Sequence, residues 1–511
     1  MSESPKPQRP DLFPVAMGNE EESMLMTGKV GQRLRDPEPF VSRYRDFIPS
    51  GIRYTPHTPR TWLQNGGMMY DGGSIDVRRN RKTTNTGPLT EEEYHASRQP
   101  LEDSVIFNVN LERTTPECSG PRELATYIQA NEKIYVEMLK NYITSWADIG
   151  VYKTARAQRR VVDSEGVGRG CHDSIEVRNH GWLNRITQGS EAEIFLCRFL
   201  QTRTFMVGAG YVAPNGSLHL SQKIEHLQKI REYGYLNSAY RVVSDQDTGP
   251  RLEVRCNDIN ISPWAIQSRA GGLALFSTIL QTPLRKSLDP MVPQNANQPG
   301  HFFHSNNIEF DEDGQIIRLD SLVQAVDFQE KWLAIADENL AEFVELNDEY
   351  KTLINEMLYY CQDMRKVLKG ELEFSVLADR SDMAAKFDYI ISKVERAKKR
   401  GASRQLGDMV SRMYDMQYDV IEIDTDEHDN ARVSYGYGYG LRDIDCAFRL
   451  PIRQNDVNRA TLIPPAATRA SIRGNAIKLG QAARCNWSFI EDEDASTRTV
   501  LRQVMLPSPK V

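Results

Sequence analysis

From Ser321 to Lys369 the chain carries neither glycine nor proline, and Val326, Leu333 and Leu340 recur at seven-residue spacing. That stretch reads as one long amphipathic helix or two stacked ones. Apolar residues near i+4 spacing predict another helix between Arg122 and Trp146. Further helices are expected over 191–212, ending at Gly208 and Gly210, over Ser262–Leu280, which carries Gly271 and Gly272 mid-run, and over Met383–Arg400, whose basic end suits a helix C-terminus. Elsewhere the apolar runs are short and strand-like, as at Arg251–Cys256. The fold class expected is therefore α+β.

Length and charge narrow the function. At 511 residues, 40% hydrophobic and 26% charged, the chain is globular and long enough for two or three domains. A net charge of −7 argues against nucleic-acid binding by bulk electrostatics. No apolar run approaches the roughly 18–20 residues of a membrane span, so no membrane partner is expected. The polar Met1–Leu12 start is no secretory signal. Seven scattered cysteines without a CxxC pair fit a reduced, cytoplasmic setting and offer no zinc spacing.

Residues 1–13 read as a disordered tail. The almost wholly polar run Arg78–Asp103 reads as a surface loop, part of an insertion spanning about 74–107. The texture changes again at Tyr435–Gly440 (YGYGYG). The last seventy residues, broken by Pro464, Pro465 and Gly474, look like a small separate module.

Five constellations carry possible chemistry. In Met17–Glu22 (MGNEEE), Glu20 and Glu22 share one face of a strand, about 7 Å apart, and two such carboxylates suit Mg²⁺. A solvated acidic run is the plain alternative. In Asn65–Gly73 (NGGMMYDGG), Asp71 stands at a strand end where a general base can sit, or in an ordinary Asp-Gly turn. Glu112 lies on an apolar strand, where pairing with Arg113 or a metal would relieve it. In GCHD (170–173), His172 follows a glycine-rich turn and is either functional or a hydrogen-bonded structural histidine. Glu253 lies in RLEVRCND, inside a strand or on its wet face. EGVGRG lacks the context of a phosphate loop, and GxSxG and HExxH are absent. Single carboxylates on several short strands suggest a Mg²⁺–nucleotide site built on a sheet.

These pieces, in this order, resemble the Pup ligase/depupylase family, whose fold is glutamine-synthetase-like: an antiparallel sheet cradle packed with helices, plus a small C-terminal domain. The Gly-x-Glu-x-Glu strand is matched by Gly18, Glu20 and Glu22, and the Asn-Gly strand before the catalytic Asp by NGGMMYDGG. Glu112 before TPEC and the GCHD step follow. FLQTRTFMVGAG with LSQKIEHL, RLEVRCNDINIS and TRASIRGNAI are the longest local matches, and scattered matches span nearly the whole chain. The resemblance implies a catalytic domain over 14–430 and a C-terminal domain over 431–511.

It further implies ATP and Mg²⁺ as cofactors, with Glu20, Glu22, Glu112 and Glu253 as metal ligands and Asp71 as the base that deprotonates the incoming lysine. His172, Arg203 and Arg473 are the candidates for nucleotide contacts, His172 also for metal. The implied reaction joins the C-terminal glutamate of a small Pup-like modifier to a target lysine through a γ-glutamyl phosphate, carried out by a monomer. Depupylase or deamidase activity on the same bond and a silent modifier-binding paralogue are the other readings. The short spacing from Glu20 to Asp71 favours the ligase layout. The Ser321–Arg400 helices either dock the modifier or simply pack the core. Two departures stand out. The family's metal-binding His is Glu253 here. The family's phosphate-side loop Arg is missing from Ser244–Asp247, with Arg241 and Arg251 as candidates to replace it.

Overall fold

A computed structural model of the chain describes residues 16–27, 68–70, 73–79, 109–147, 154–159, 161, 170–176, 180–186, 190–213, 216–223, 240–243, 251–291, 307–308, 320–401, 404–425, 430–443, 448–461, 463, 465–472, 484–485, 489–491 and 498–500. Strands β1 (Ala16–Thr27), β2 (Met68–Tyr70), β3 (Gly73–Arg79) and β4 (Val109–Thr114) precede the long helix α1 (Pro121–Ala147). Strands β5 (Thr154–Gln158) and β6 (Cys171–Glu176) lead to helices α2 (His180–Leu183), α3 (Glu191–Thr202) and α4 (Thr204–Val207). Next come β7 (Tyr211–Val212), β8 (Leu218–His219), β9 (Tyr240–Val243), β10 (Arg251–Val254) and helix α5 (Pro263–Gln281). Strand β11 (Asn307–Ile308) is followed by α6 (Asp320–Asn339), α7 (Asp348–Leu368), α8 (Asp382–Lys399) and α9 (Arg404–Tyr418). Further on lie β12 (Val420–Thr425), β13 (Ala431–Tyr435), α10 (Tyr437–Asp443) and α11 (Gln454–Ala460). A short sheet of β14 (Arg484–Cys485), β15 (Phe489–Glu491) and β16 (Arg498–Val500) comes after them.

Ten strands make one antiparallel sheet in the order β13-β12-β5-β1-β4-β3-β2, with β6, β10 and β9 branching from β1. One edge of β1 pairs with β4. The other edge is shared: Ala16–Glu21 pair with β6 and Met24–Thr27 with β5. The sheet therefore forks at Glu22–Ser23. Side chains alternate across a strand, so adjacent residues of β1 serve opposite faces.

One face is covered by helices. It carries Met17, Glu21, Arg113, Asp173, Ile175 and Leu252, all buried, and α1 packs on it and against α5. Every residue of α5 from Pro263 through Leu280 is buried, as expected of a helix apolar on all sides. Its mid-run glycine has a packing cause. A Cβ on Gly271 would lie 2.2 Å from Leu353 Cδ2, so glycine lets α7 approach. Beyond α5, Phe199 stacks on Phe276 with ring centroids 4.5 Å apart, and Trp332 of α6 meets both edge-on.

The Ser321–Lys369 run forms two stacked helices rather than one. A 3₁₀ turn at Leu340–Glu342 interrupts it, and Asn347 caps α7, its side chain accepting from Tyr350 N at 3.0 Å. Their apolar faces go into the core, through Val326, Trp332, Leu333, Leu353 and Met357, which is the packing alternative for these helices. The 191–212 segment is divided at Arg203 and ends at Gly208.

The polar insertion begins later than expected. Gly73–Arg79 is a strand paired along β4, because Ile75 and Val77 alternate with polar residues. Residues 1–13 and 80–108 lie outside the described residues. The expected break after residue 430 falls inside the β12–β13 hairpin, which belongs to the main sheet. In YGYGYG, Gly436 and Gly438 are required by close approach, since a Cβ would lie 2.3 Å from Gln417 O and 2.7 Å from the Tyr418 ring respectively.

Candidate active site

The face of the sheet opposite α1 and α5 gathers the carboxylates. Glu20 pairs across to His172, Glu22 to Glu112, Glu112 to Asp76, and Ser174 to Glu253. Residues directly opposite in an antiparallel pair share a face, so these positions line one surface over five adjacent strands. His172 Nδ1 lies 3.2 Å from Glu20 Oε2, with the two side chains 20% and 34% exposed. At the fork of β1, Gly170 N–H donates to Glu22 Oε2 at 2.8 Å, and Glu22 N–H donates to Gly170 O at 2.8 Å. A Cβ on Gly170 would come within 2.9 Å of His172 Nε2 and 3.0 Å of Glu22 Cδ. Glycine thus leaves room for these two side chains to meet.

The opposite face holds the sheet still. Glu21 Oε2 accepts from Arg113 at 2.9 Å and from Arg159 at 2.8 Å. Arg159 also pairs with Glu132, which accepts from Arg442 at 2.6 Å. Burial acts to raise the Glu132 pKa, but Arg442 and Arg159 outweigh it and hold the carboxyl below its ordinary value. Asp173 accepts from Arg269 at 2.8 and 3.1 Å, from Asn19 at 2.9 Å and from Asn257 at 3.0 Å. Asp258 accepts from Ala209 N, Ser221 Oγ and Gln222 N, although burial still pushes its pKa up. Removing one partner from such a buried pair costs roughly 3–5 kcal/mol, so these contacts fix the register on which the exposed carboxylates depend.

The predicted residues divide accordingly. Glu20, Glu22 and His172 come together, and Glu112 sits opposite Glu22 in register. Asp71 and Arg473 lie outside the described residues, although β2 ends at Tyr70 and β3 begins at Gly73, bracketing Asp71. Arg203 is 3% exposed and belongs to the helix-covered side. It bonds to Asn257 Oδ1 and to Arg269 O at 3.1 Å, and its pKa is lowered by burial. Arg113, next to Glu112 on β4, pairs with buried Glu21 at 2.9 Å. Glu253 is on the carboxylate face but 2% exposed, with Arg255 Nε 2.6 Å from Oε1 and Arg251 3.8 Å from Oε2.

Among the described residues no three of His, Cys, Asp and Glu converge closely enough to hold a metal by themselves. Glu20 and Glu22, half-buried and on one strand face, nonetheless supply the oxygen donors that Mg²⁺ prefers. Glu253 does not fit that role, since its carboxylate is already balanced by guanidinium groups. Sequence reasoning missed Lys223, whose Nζ donates to Arg255 O at 2.7 Å. Burial lowers its pKa, and Glu22 is among the charges that oppose the shift. The signal was present in LSQKIEHL, as the lone lysine of a matched run. Arg469, in TRASIRGNAI, was also missed. It reaches the same face of the sheet at Glu176, and pairs there and with Glu117 at 2.6 Å.

A family model described as Pup-ligase protein matches residues 105–491. A Pup–protein ligase of Kineococcus radiotolerans is 25% identical over 417 residues, covering 76% of this chain and 82% of the relative. One from a Nocardioides species is 26% identical over 407 residues, with the same shares. The crystal structure of the complex between the prokaryotic ubiquitin-like protein Pup and its ligase PafA superposes with a TM-score of 0.65 at 17% identity, covering 96% of this chain and 90% of that one. The structure of PafA in complex with ADP gives 0.56 at 17%, covering 77% and 82%. The expected α+β, glutamine-synthetase-like architecture is borne out by these superpositions. By the extent of the family match, the chain belongs to the Pup-ligase family.

Proposed function

We propose that this chain is an ATP- and Mg²⁺-dependent ligase that joins the C-terminal glutamate of a Pup-like modifier to lysines of target proteins. The observation that carries this reading is the single sheet face on which Glu20, Glu22, Glu112 and His172 line up in register, within a family whose relatives are Pup–protein ligases. Glu20 and Glu22, with Glu112 across from Glu22 in register, would hold the magnesium, which would supply neutralisation of phosphate oxygens during phosphoryl transfer. His172 orients Glu20 through their 3.2 Å contact.

The modifier's glutamate oxygen attacks the γ-phosphorus, the bond to ADP breaks, and a γ-glutamyl phosphate results. The lysine amine then attacks the acyl carbon, and phosphate leaves as the isopeptide bond forms. A lysine is protonated near neutral pH, so a base is needed. Asp71 takes that proton. Arg473 contributes from the C-terminal segment toward the nucleotide, while Arg203 supports the sheet from behind. The protein acts as a monomer in the cytoplasm. No helix among the described residues is long and apolar enough to cross a membrane.

Oxygen transfer tests the reading. With a modifier labelled with ¹⁸O in its C-terminal glutamate carboxylate, turnover should yield ADP and phosphate that carries the label. AMP as the product, or unlabelled phosphate accompanying conjugation, would rule out an acyl-phosphate route.

A further inference from the structure

Resting on the ligase reading, the observations around Glu253 point beyond it. Arg251, Glu253 and Arg255 occur at every second position, and both arginines approach the one carboxylate, at 3.8 and 2.6 Å. Arg251 also faces Glu176 across the β6–β10 pair, so Arg255, the nearer of the two, is the main counter-charge of Glu253. A carboxylate so paired is a poor ligand for a second divalent cation, whereas the guanidinium beside it suits an anion.

The position of Arg255 is set from three sides. Val254 pairs with Asp173, and Cys256 bridges to Cys171, so Arg255 lies between those pairs as His172 does on the neighbouring strand. His172 is in turn level with Glu20. Glu253 orients the Arg255 guanidinium, and buried Lys223 holds its carbonyl at 2.7 Å. The Arg255 side chain is 12% exposed, and register puts its position on the same face as Glu20 and His172. The sequence Ser244–Asp247 carries no arginine.

We propose that Glu253 ligates no metal: it anchors Arg255, and the Arg255 guanidinium meets the phosphate oxygens of the nucleotide in place of a divalent ion and of the missing loop arginine. Guanidinium suits this task, because its fixed fork of donors matches phosphate geometry. Glu253 is then a positioning residue, and Arg255 a binding residue.

The test uses the full chain. Calorimetry reads ATP and adenosine binding, and the EPR signal of free Mn²⁺ counts ions bound in the presence of ATP. Arg255→Gln should weaken ATP by roughly tenfold or more, the loss of one charge-assisted hydrogen bond, and leave adenosine unchanged. Glu253→Gln should leave the number of bound Mn²⁺ ions as in wild type. Because Arg255→Gln strands a buried carboxylate, the charge-neutral double variant Glu253→Gln/Arg255→Gln is measured beside it, with its melting temperature. It should melt near wild type and bind ATP as weakly as the single variant. Loss of one Mn²⁺ in Glu253→Gln, or wild-type ATP affinity in the folded double variant, overturns the proposal. A wild type that binds no ATP would instead sink the ligase reading, and the Arg255 assignment with it.

Discussion

Replacing Gly170 by alanine adds one methyl group at the fork of the sheet. That carbon would lie 2.9 Å from His172 Nε2 and 3.0 Å from Glu22 Cδ, where relaxed contacts settle at about 3.5–4.0 Å. One or both side chains must therefore move by about 0.5–1 Å. Glu22 is doubly tied to Gly170, through its own N–H and through Oε2, each at 2.8 Å. It cannot move without lengthening a hydrogen bond. The fold loses little, because both side chains are only half-buried and can swing outward; overpacking of this kind costs about 1–3 kcal/mol. Catalysis should lose much more, since a misplacement near 1 Å can cost about 100-fold in rate. The assay is the initial rate of ADP release at saturating ATP and Mg²⁺ with modifier and acceptor, alongside the melting temperature. Gly440→Ala is the control, because nothing lies within 4 Å of the added carbon there. Gly170→Ala protein that melts like wild type and turns over at the wild-type rate would refute the placement of Glu22 and His172 in the reacting site.

Arg469→Met should destabilise the protein by roughly 3–5 kcal/mol, because Glu117 and Glu176 are both buried and share that guanidinium; adding Glu117→Gln and Glu176→Gln should restore most of the loss in a denaturant midpoint. Asp382 holds the chain entering α5, accepting from Ile261 N and Ser262 N, yet burial pushes its pKa up to about 6. A carboxyl raised in the folded state binds more protons than the unfolded chain, so its contribution is fully present below about pH 4 and is lost as pH rises through 6. Asp382→Asn should therefore compare more favourably with wild type at pH 7.5 than at pH 5, by about 1.4 kcal/mol for the one pH unit between 5 and the folded value near 6; an equal melting-temperature difference at both pH values would contradict the assignment.

Much of the architecture was legible because glycine and proline punctuate it. Helix α1 and helix α8 lie within a residue of their expected ends. The break between α6 and α7 was hidden, because the apolar heptad continues through Leu340 and the interruption rests on the Asn347 cap. Alternation alone put Glu20 and Glu22 on one face. It could not reveal that Glu21 between them anchors to Arg113 and Arg159, which lie 92 and 138 residues away in sequence. The pairing of Glu112 with Arg113 was considered although alternation already disfavoured it. The same rule could have exposed the Arg251–Glu253–Arg255 trio, whose members sit at every second position. Arg203 came from the family resemblance as a nucleotide contact, but its environment is a buried network that only tertiary structure assembles.

The central claim is best tested by intact mass spectrometry of a single reaction. Wild-type protein, ATP, Mg²⁺, a Pup-like modifier ending in glutamate and a lysine-bearing acceptor should give an acceptor heavier by one modifier less one water. Asp71→Asn should still bind ATP and give none. Absence of any conjugate from the wild type, with cleavage of a preformed one instead, would contradict the ligase account.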